Sequence, residues 1–287
     1  MTTIHKILFP VDFSQSCDAM APFVQRVAAM FSAKVTLLYV LEPSSSGFEV
    51  LTRPVPDAEE DRQKVACARL ETCLSAEFPL HETSRLLMTG DAASRIAEVA
   101  SGCRFDLIVM STHAGVFRRM LLGSTTAKVL NDADCMVLTT QHAESLSPRP
   151  LEHREWVCAI GLSQDSKRVL GVASQLAETA GANLSIIHAI SASRPGPPIR
   201  LDLEERAESL ERHTAQERVR ELLRMVGCHA RVSIAVGPIK DALTGMACRL
   251  QADALIIGRS TQPNIQGRLR DLTYAMVRDA PCPVISV

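Results

Sequence analysis

The sequence predicts an α/β protein made of two tandem domains, each built on a parallel sheet. Strand and helix patterns alternate along the 287-residue chain. Several strand segments are unbroken apolar runs, which is typical of strands covered on both faces. The order of elements then occurs a second time. Five strands with a helix between successive strands imply parallel pairing with right-handed crossovers in each copy.

The elements of the first copy follow from apolar periodicity and from turn residues. Ser14 is placed to cap a helix in which Met20, Phe23 and Val24 recur at helical spacing. Gly90 and Asp91 mark the start of a later helix. Strands are expected at 7–12, 34–41, 83–88, 107–110 and 136–138, and helices after Ser14, at 57–77, after Gly90 and at 123–131.

The second copy repeats this order. The segment 253–258 matches 106–111 at an offset of 147 residues, and the first two strands match at an offset of 149. We therefore predict domains at 1–143 and 154–287, joined by a linker rich in proline and charge. A helix at 201–226 is expected to place Leu210 on its buried apolar side and its charges in solvent.

Composition excludes several classes of protein. The net charge of −1 and pI near 6.7 argue against nucleic acid as a partner, and no apolar run approaches the length of a membrane span. The N-terminal segment shows no secretory pattern. Nine scattered cysteines without zinc-ligand spacing predict reduced, buried thiols in a cytoplasmic protein.

The stretch from 105 to 140 is the strongest indication of a ligand. It contains an apolar strand, a loop with small and basic residues, Gly123-Ser124 opening a helix, and a second apolar strand. Free backbone N–H groups and the positive end of the helix dipole converge at such a helix start. We expect an anion to bind there.

Five segments carry a resemblance to the universal stress protein family, over nearly the whole chain. They are ILFPVDFS at 7–14, LLYVLEP at 37–43, MSTHAG at 110–115, LLGSTTAKVL at 121–130 and DAPCPVISV at 279–287. The resemblance implies doubly wound domains with strand order 3-2-1-4-5 and helices on both faces. It also implies ATP, with Mg²⁺, between the first and fourth strands, since many members of the family bind it there.

The ATP-binding pattern of that family, G-x2-G-x9-G-S/T, is weakened in the first copy. Its four positions align with Ser111, Ala114, Gly123 and Ser124, and the second spacing is one residue short. The terminal Gly-Ser is intact. The resemblance implies contacts along the first two strands and over the phosphate loop, at Pro10, Val11, Asp12, Val40, Met110, Ser111, Ala114, Gly123, Ser124 and Thr125.

The second copy departs further from the pattern. Gly258, Thr261, Arg270 and Asp271 occupy the four positions, and Gly161 replaces Asp12. Asp271 is expected to cap its helix and to place a negative charge where phosphate would lie. The resemblance therefore implies that this copy keeps the fold and has a degenerate nucleotide site.

Some individual residues have two interpretations. Asp12 either contacts adenosine or only ends a strand and starts a turn, and the sequence does not decide between these. His113, Arg118, Arg119 and Lys128 are expected to be solvated or to serve the loop rather than to bind phosphate. No catalytic motif is present, so the chain is expected not to be an enzyme, with slow ATP hydrolysis as a lesser hypothesis.

Two functions remain open from the sequence. The first is an adenine-nucleotide switch in stress response, in which ligand binding orders the loop after Ser111. The second is a nucleotide-free, dimeric scaffold or interaction protein in stress response, favoured by the missing glycines. A homodimer is expected in either case, and the fifth strand of each copy is a natural edge for pairing.

Overall fold

A computed structural model describes residues 3–43, 56–112, 122–141, 154–191, 201–259 and 268–287. Two compact units are found, Ile4–Leu146 and Ser147–Val287, the second together with Met1–Thr3. Each is a doubly wound α/β domain, as the sequence predicts. Within the described ranges, no helix is long and apolar enough to cross a lipid bilayer.

The first domain is a five-stranded parallel sheet with strands in the order β3-β2-β1-β4-β5. The predicted order is therefore confirmed. Its elements are β1 (Lys6–Pro10), α1 (Gln15–Phe31), β2 (Lys34–Leu41), α2 (Pro56–Thr72), β3 (Ser84–Thr89), α3 (Ala92–Gly102), β4 (Leu107–Ser111), α4 (Ser124–Asp132) and β5 (Met136–Thr140).

The second domain repeats this topology, with order β8-β7-β6-β9-β10 and parallel pairing throughout. Its elements are β6 (Glu155–Ala159), α5 (Ser166–Thr179), β7 (Asn183–Ile190), α6 (Leu201–Val226), β8 (Arg231–Val236), α7 (Ile239–Arg249), β9 (Ala254–Ile257), α8 (Arg268–Asp279) and β10 (Val284–Ser286).

Central strands form the core of each domain because their apolar side chains are covered on both faces. Ile7, Leu8 and Ile108 are fully buried in the first domain, and Leu255 and Ile256 are fully buried in the second. Burying such side chains is the dominant favourable contribution to folding. Because β1 lies beside β4, and β6 beside β9, the carboxyl ends of each of these pairs of strands lie next to each other at one edge of the sheet.

Helix α1 begins where its cap predicts. Ser14 has extended backbone angles, and its side chain accepts a hydrogen bond from the Cys17 N–H. Helix α2, in contrast, ends at Thr72, five residues before the predicted end. Leu74 takes a left-handed backbone angle (φ 50°), which a helix cannot contain. Arg85 then binds the carbonyl groups freed by this ending.

Two predictions about burial are wrong. Leu210 on α6 is 67% exposed, although the apolar periodicity of the helix placed it on the buried side. The cysteines were expected to be buried, but Cys67, Cys103 and Cys248 are exposed. Cys67 and Cys248 lie on helices and Cys103 follows the end of α3, and periodicity alone does not reveal which of these positions are covered.

Candidate functional site

A cavity of about 650 Å³ opens at the carboxyl ends of β1, β2 and β4 in the first domain. The strand order reverses between β1 and β4, and open α/β sheets bind ligands at such a switch point. Nine predicted residues line the cavity, namely Pro10, Val11, Asp12, Val40, Met110, Ser111, Gly123, Ser124 and Thr125. The tenth, Ala114, lies outside the described residues, as do His113, Arg118 and Arg119.

One side of this cavity is apolar and rigid. Val11, Val40 and Met110 are each less than a tenth exposed. The Val11 N–H donates to the Leu38 carbonyl at 2.8 Å, which extends the pairing of β1 with β2 beyond the strand itself. A flat apolar group such as an aromatic base would be held here by packing against these side chains.

Asp12 lies at the edge of this apolar side, and its side chain is exposed. Its Oδ1 accepts a hydrogen bond from the Ser14 N–H at 3.0 Å, as in an Asx turn leading into α1. The carboxylate is therefore fixed at the cavity by a structural hydrogen bond. This geometry is compatible with both interpretations of Asp12, as a turn residue and as a contact to adenosine. The turn uses only one hydrogen bond, and the carboxylate can accept several more.

The opposite side of the cavity is the N-terminus of α4. Gly123 is the N-cap, and no side chain caps the helix within the described ranges. The Gly123 N–H donates to the Thr112 carbonyl at 2.9 Å, and the Thr126 hydroxyl donates to the Ser111 carbonyl at 3.0 Å. These bonds fix the two ends of the loop to each other. The first-turn N–H groups of Ser124 and Thr125 lack intrahelical acceptors and suit an anion.

Steric crowding explains why glycine occupies position 123. A Cβ added there would approach the Thr112 carbonyl oxygen to 3.3 Å and the Thr126 hydroxyl to 3.7 Å. The first distance is tighter than ordinary van der Waals contact, so a side chain would strain the closure of the loop. It would also occupy part of the helix start where an anion would bind.

The Usp family model, described as the universal stress protein family, matches residues 3–141 and 154–287. The chain belongs to the universal stress protein family. Both copies match, so the duplication inferred from the repeat is a duplication of the family's domain.

Individual universal stress proteins are distant relatives. One from Mycobacterium tuberculosis is 25% identical over 193 residues, which is 65% of this chain and 64% of that protein. The chain thus spans less than two thirds of the length of that relative.

A crystal structure of a universal stress protein from Archaeoglobus fulgidus has a TM-score of 0.70 at 20% identity and covers 98% of this chain and 97% of that one. A functionally unknown Pseudomonas aeruginosa protein has a TM-score of 0.65 at 18% identity, covering 100% and 93%. These structures show the fold.

The second universal stress protein domain has a cavity in the matching place, of about 520 Å³. Gly161 and Gly258 line it where the first domain has Asp12 and Ser111. The prediction that Asp271 caps the following helix is wrong: α8 begins at Arg268, and Asp271 is its fourth residue. Thr261, also aligned with the family pattern, lies outside the described residues.

Helices contribute cavity residues that the sequence did not predict. Cys17, Arg62, Ala92 and Ile96 line the first-domain cavity from α1, α2 and α3, and Glu42 lines it just after β2. The turn at Gly90 was a usable signal for Ala92, because it starts α3 beside the strand ends. Nothing in the sequence pointed to Cys17 or Arg62, since their approach depends on how the helices cross the sheet.

Arg62 places a guanidinium group beside this cavity. Its Nη2 donates to the Glu42 carbonyl at 3.0 Å, and its Nη1 contacts Glu59 at 3.0 Å. Lys128, in contrast, is 58% exposed and pairs with Asp91 at 3.2 Å, which agrees with its predicted surface position. The Ser94 N–H and hydroxyl, followed by Lys128, lower the pKa of Asp91 to about 2.

The Cys17 thiol is poorly suited to act as a nucleophile. Burial raises its pKa to about 12, partly opposed by a hydrogen bond with the Asp12 backbone. The thiolate that nucleophilic chemistry needs is therefore scarce at neutral pH. Cys17 forms part of the cavity wall and of its packing.

Proposed function

We propose that the first domain binds an adenine nucleotide, ATP with Mg²⁺, and that binding acts as a regulatory switch in stress response. The observation that carries this proposal is a single cavity with an apolar side for a base and an uncapped helix N-terminus for phosphates. Membership of a family in which many proteins bind ATP supports it. The protein would act in the cytoplasm and as a binding protein rather than as an enzyme.

The residues present fit a nucleotide that brings its own metal ion. Asp12 and Glu42 line the cavity, but no cluster of three or more metal-ligating side chains occurs in the described part of the chain. Mg²⁺ is commonly held by phosphate oxygens, waters and only one or two carboxylates. Mg²⁺ would therefore enter with the phosphates, and the Arg62 guanidinium, which is paired with Glu59, would lie at the same cavity.

Isothermal titration with MgATP tests the proposal through Gly123→Asp. The substitution adds a carboxylate at the helix start and crowds the Thr112 carbonyl, so we expect binding at least about tenfold weaker than wild type. Gly102→Asp is the matched control, because a Cβ at Gly102 meets no atom within 4 Å and Gly102 does not line the cavity. Absence of binding to wild type, or equal binding by wild type and Gly123→Asp, contradicts the proposal.

The alternative function makes a different prediction in the same experiment. A nucleotide-free scaffold protein would show no heat of binding and no thermal shift with MgATP, and purified samples would lack absorbance from bound nucleotide. It would still form the homodimer that we propose for either function. Phosphate release that persists in Gly123→Asp combined with Ser124→Ala would identify a contaminating ATPase rather than hydrolysis at this site.

A further inference from the structure

The second-domain cavity differs in chemistry from the cavity of the first domain. At the offsets that relate the two copies, Gly161 stands for Asp12, Ile239 for Ala92 and Leu272 for Thr125. Each exchange removes a polar group or adds apolar surface. The space is kept, at about 520 Å³, while the groups suited to a nucleotide are replaced.

We propose that this second cavity is a separate binding site for an uncharged, mainly apolar small molecule that carries one hydrogen-bonding group. Its walls support that choice of ligand. Ile160, Val169, Leu243, Ile257 and Met276 line the cavity, and each is less than a tenth exposed. A cavity of this size and lining binds by removing apolar ligand surface from water.

Gly258 aligns with the first glycine of the family's ATP-binding pattern, but its surroundings are apolar. A Cβ at Gly258 would lie 2.7 Å from the Val169 Cγ2 atom, closer than real contacts allow. The Val169 side chain therefore fills the space that a side chain at position 258 would need. In the ATP-binding pattern of the family, glycine at this position leaves room for phosphate. Here that room is filled by an apolar group.

Ser166 is the second observation that points to a ligand. It lines the cavity, is 2% exposed, and its hydroxyl oxygen is buried without a hydrogen-bond partner among the described residues. At the corresponding position the first domain has Cys17, a thiol rather than a hydroxyl. A buried unpaired hydroxyl costs free energy. Rotation of the Ser166 side chain toward the cavity would let a ligand polar group supply the missing bond.

His188 provides a second polar group. Its Nδ1 lies 2.8 Å from the Ile160 carbonyl, which only accepts, so Nδ1 carries a hydrogen and Nε2 is left for another partner. His188 lines the same cavity. Asp165 and Arg259, which also line it, bring opposite formal charges. The site therefore offers hydrogen bonding without a net charge that would select an ion.

Fluorescence titration of the full chain with N-phenyl-1-naphthylamine tests this inference. The probe is uncharged, mainly apolar and carries one N–H donor. Its sulfonated relative 8-anilinonaphthalene-1-sulfonate is a matched anionic probe. We expect saturable one-to-one binding of the uncharged probe and affinity at least about tenfold weaker for the anion. No saturable binding, or tighter binding of the anion, overturns the proposal.

Two variants assign the binding to this cavity. Gly161→Phe should abolish it by filling the mouth, where an added Cβ meets no atom within 4 Å. Gly245→Phe on α7 is the control, because its Cβ position is equally open and it does not line the cavity. If Gly161→Phe fails to fold, Ile239→Ala with Leu272→Thr restores first-domain residues and should weaken binding about fivefold or more. Unchanged binding in the folded variants overturns the proposal.

The result is independent of nucleotide binding in the first domain. Gly123→Asp should bind the uncharged probe as wild type does, and MgATP should not displace it. Loss of probe binding in Gly123→Asp, or displacement by MgATP, would place the probe in the first domain and overturn the second-domain site. Failure of MgATP to bind at all would leave the probe result standing.

Discussion

Arg85 shows how one side chain can stabilise the end of a helix that the sequence would continue. Its guanidinium donates to the main-chain carbonyls of Leu70 at 2.9 Å, Cys73 at 3.0 Å, Phe78 at 2.8 Å and Thr83 at 3.2 Å. These carbonyls belong to the last turn of α2 and to the segment that leads into β3. The planar fork of arginine donates in several directions, which a lysine ammonium on its flexible stem does not reproduce.

We therefore predict that Arg85→Met lowers the free energy of unfolding by about 2–3 kcal/mol, because several partly buried carbonyls lose a charged donor. Arg85→Lys should recover only part of this loss. Urea unfolding followed by circular dichroism measures both. Arg220→Met is the control, since Arg220 makes an exposed pair with Glu217 and should change stability by less than about 0.5 kcal/mol. Equal effects at the two positions would contradict the assigned role.

Individual residues were predicted best where their role is local. The Ser14 cap depends only on the next three residues, and it is confirmed. The early end of α2 coincides with the left-handed Leu74 and with hydrogen bonds from Arg85, which follows the helix by 13 residues and reaches back to it. Exposure of Leu210 depends on which elements pack against α6, and not on the sequence of the helix alone. Local patterns do not contain these longer-range contacts.

At the scale of elements, Asp279 connects two helices of the second domain. It is the last residue of α8, where Arg278 contacts both of its oxygens at 2.9 Å. Lys240 in the first turn of α7 contacts Oδ2 at 2.6 Å. Hydrogen bonding by Arg278, and then by Lys240, lowers the pKa of Asp279 to about 2. The bond to Lys240 ties the end of one helix to the start of the other.

We predict that Asp279→Asn lowers stability by about 1 kcal/mol at pH 7, a value reduced for partial exposure. Because the native pKa is depressed, this contribution is complete above the unfolded pKa near 3.9 and declines as pH falls toward 2. Urea unfolding of wild type and variant, from pH 7 to the lowest pH at which both stay folded, measures the difference. Asp61→Asn, in an exposed pair with Lys64, is the control. A difference that does not shrink on acidification would contradict the prediction.

Element order and sheet topology were accessible from the sequence because apolar runs and turn residues repeat in both copies. The cavity was accessible in part, since parallel strand ends and a Gly-Ser helix start have known geometry. Its helix-derived walls were not. Cys17 and Arg62 reach the first cavity, and Ser166 the second, only once helix crossing is fixed. The position of a site thus follows from topology, while its selectivity follows from packing.

For the whole molecule, the duplicated scaffold implies two sites of unequal chemistry. Each domain is a compact unit with its own buried core. Matching positions in the two cavities differ mainly in polarity, from Asp12 to Gly161 and from Thr125 to Leu272. After a duplication, the site of one copy can change while the other copy keeps its original residues. The two domains should therefore respond to different molecules.

Hydrogen exchange with mass spectrometry of the full chain tests this selectivity. With MgATP we expect slower exchange in peptides covering β1, the end of β4 and the start of α4, and no change within 154–287. With N-phenyl-1-naphthylamine we expect the reverse, with protection around Ser166 and the ends of β6 and β9. A ligand at 100 times its Kd stabilises its site by about 2.7 kcal/mol, which is well above the detection limit for local opening. Protection of both domains by one ligand would mean that the two cavities share their specificity. That result would contradict the prediction that replacing Asp12 and Thr125 by Gly161 and Leu272 changes which ligand is bound.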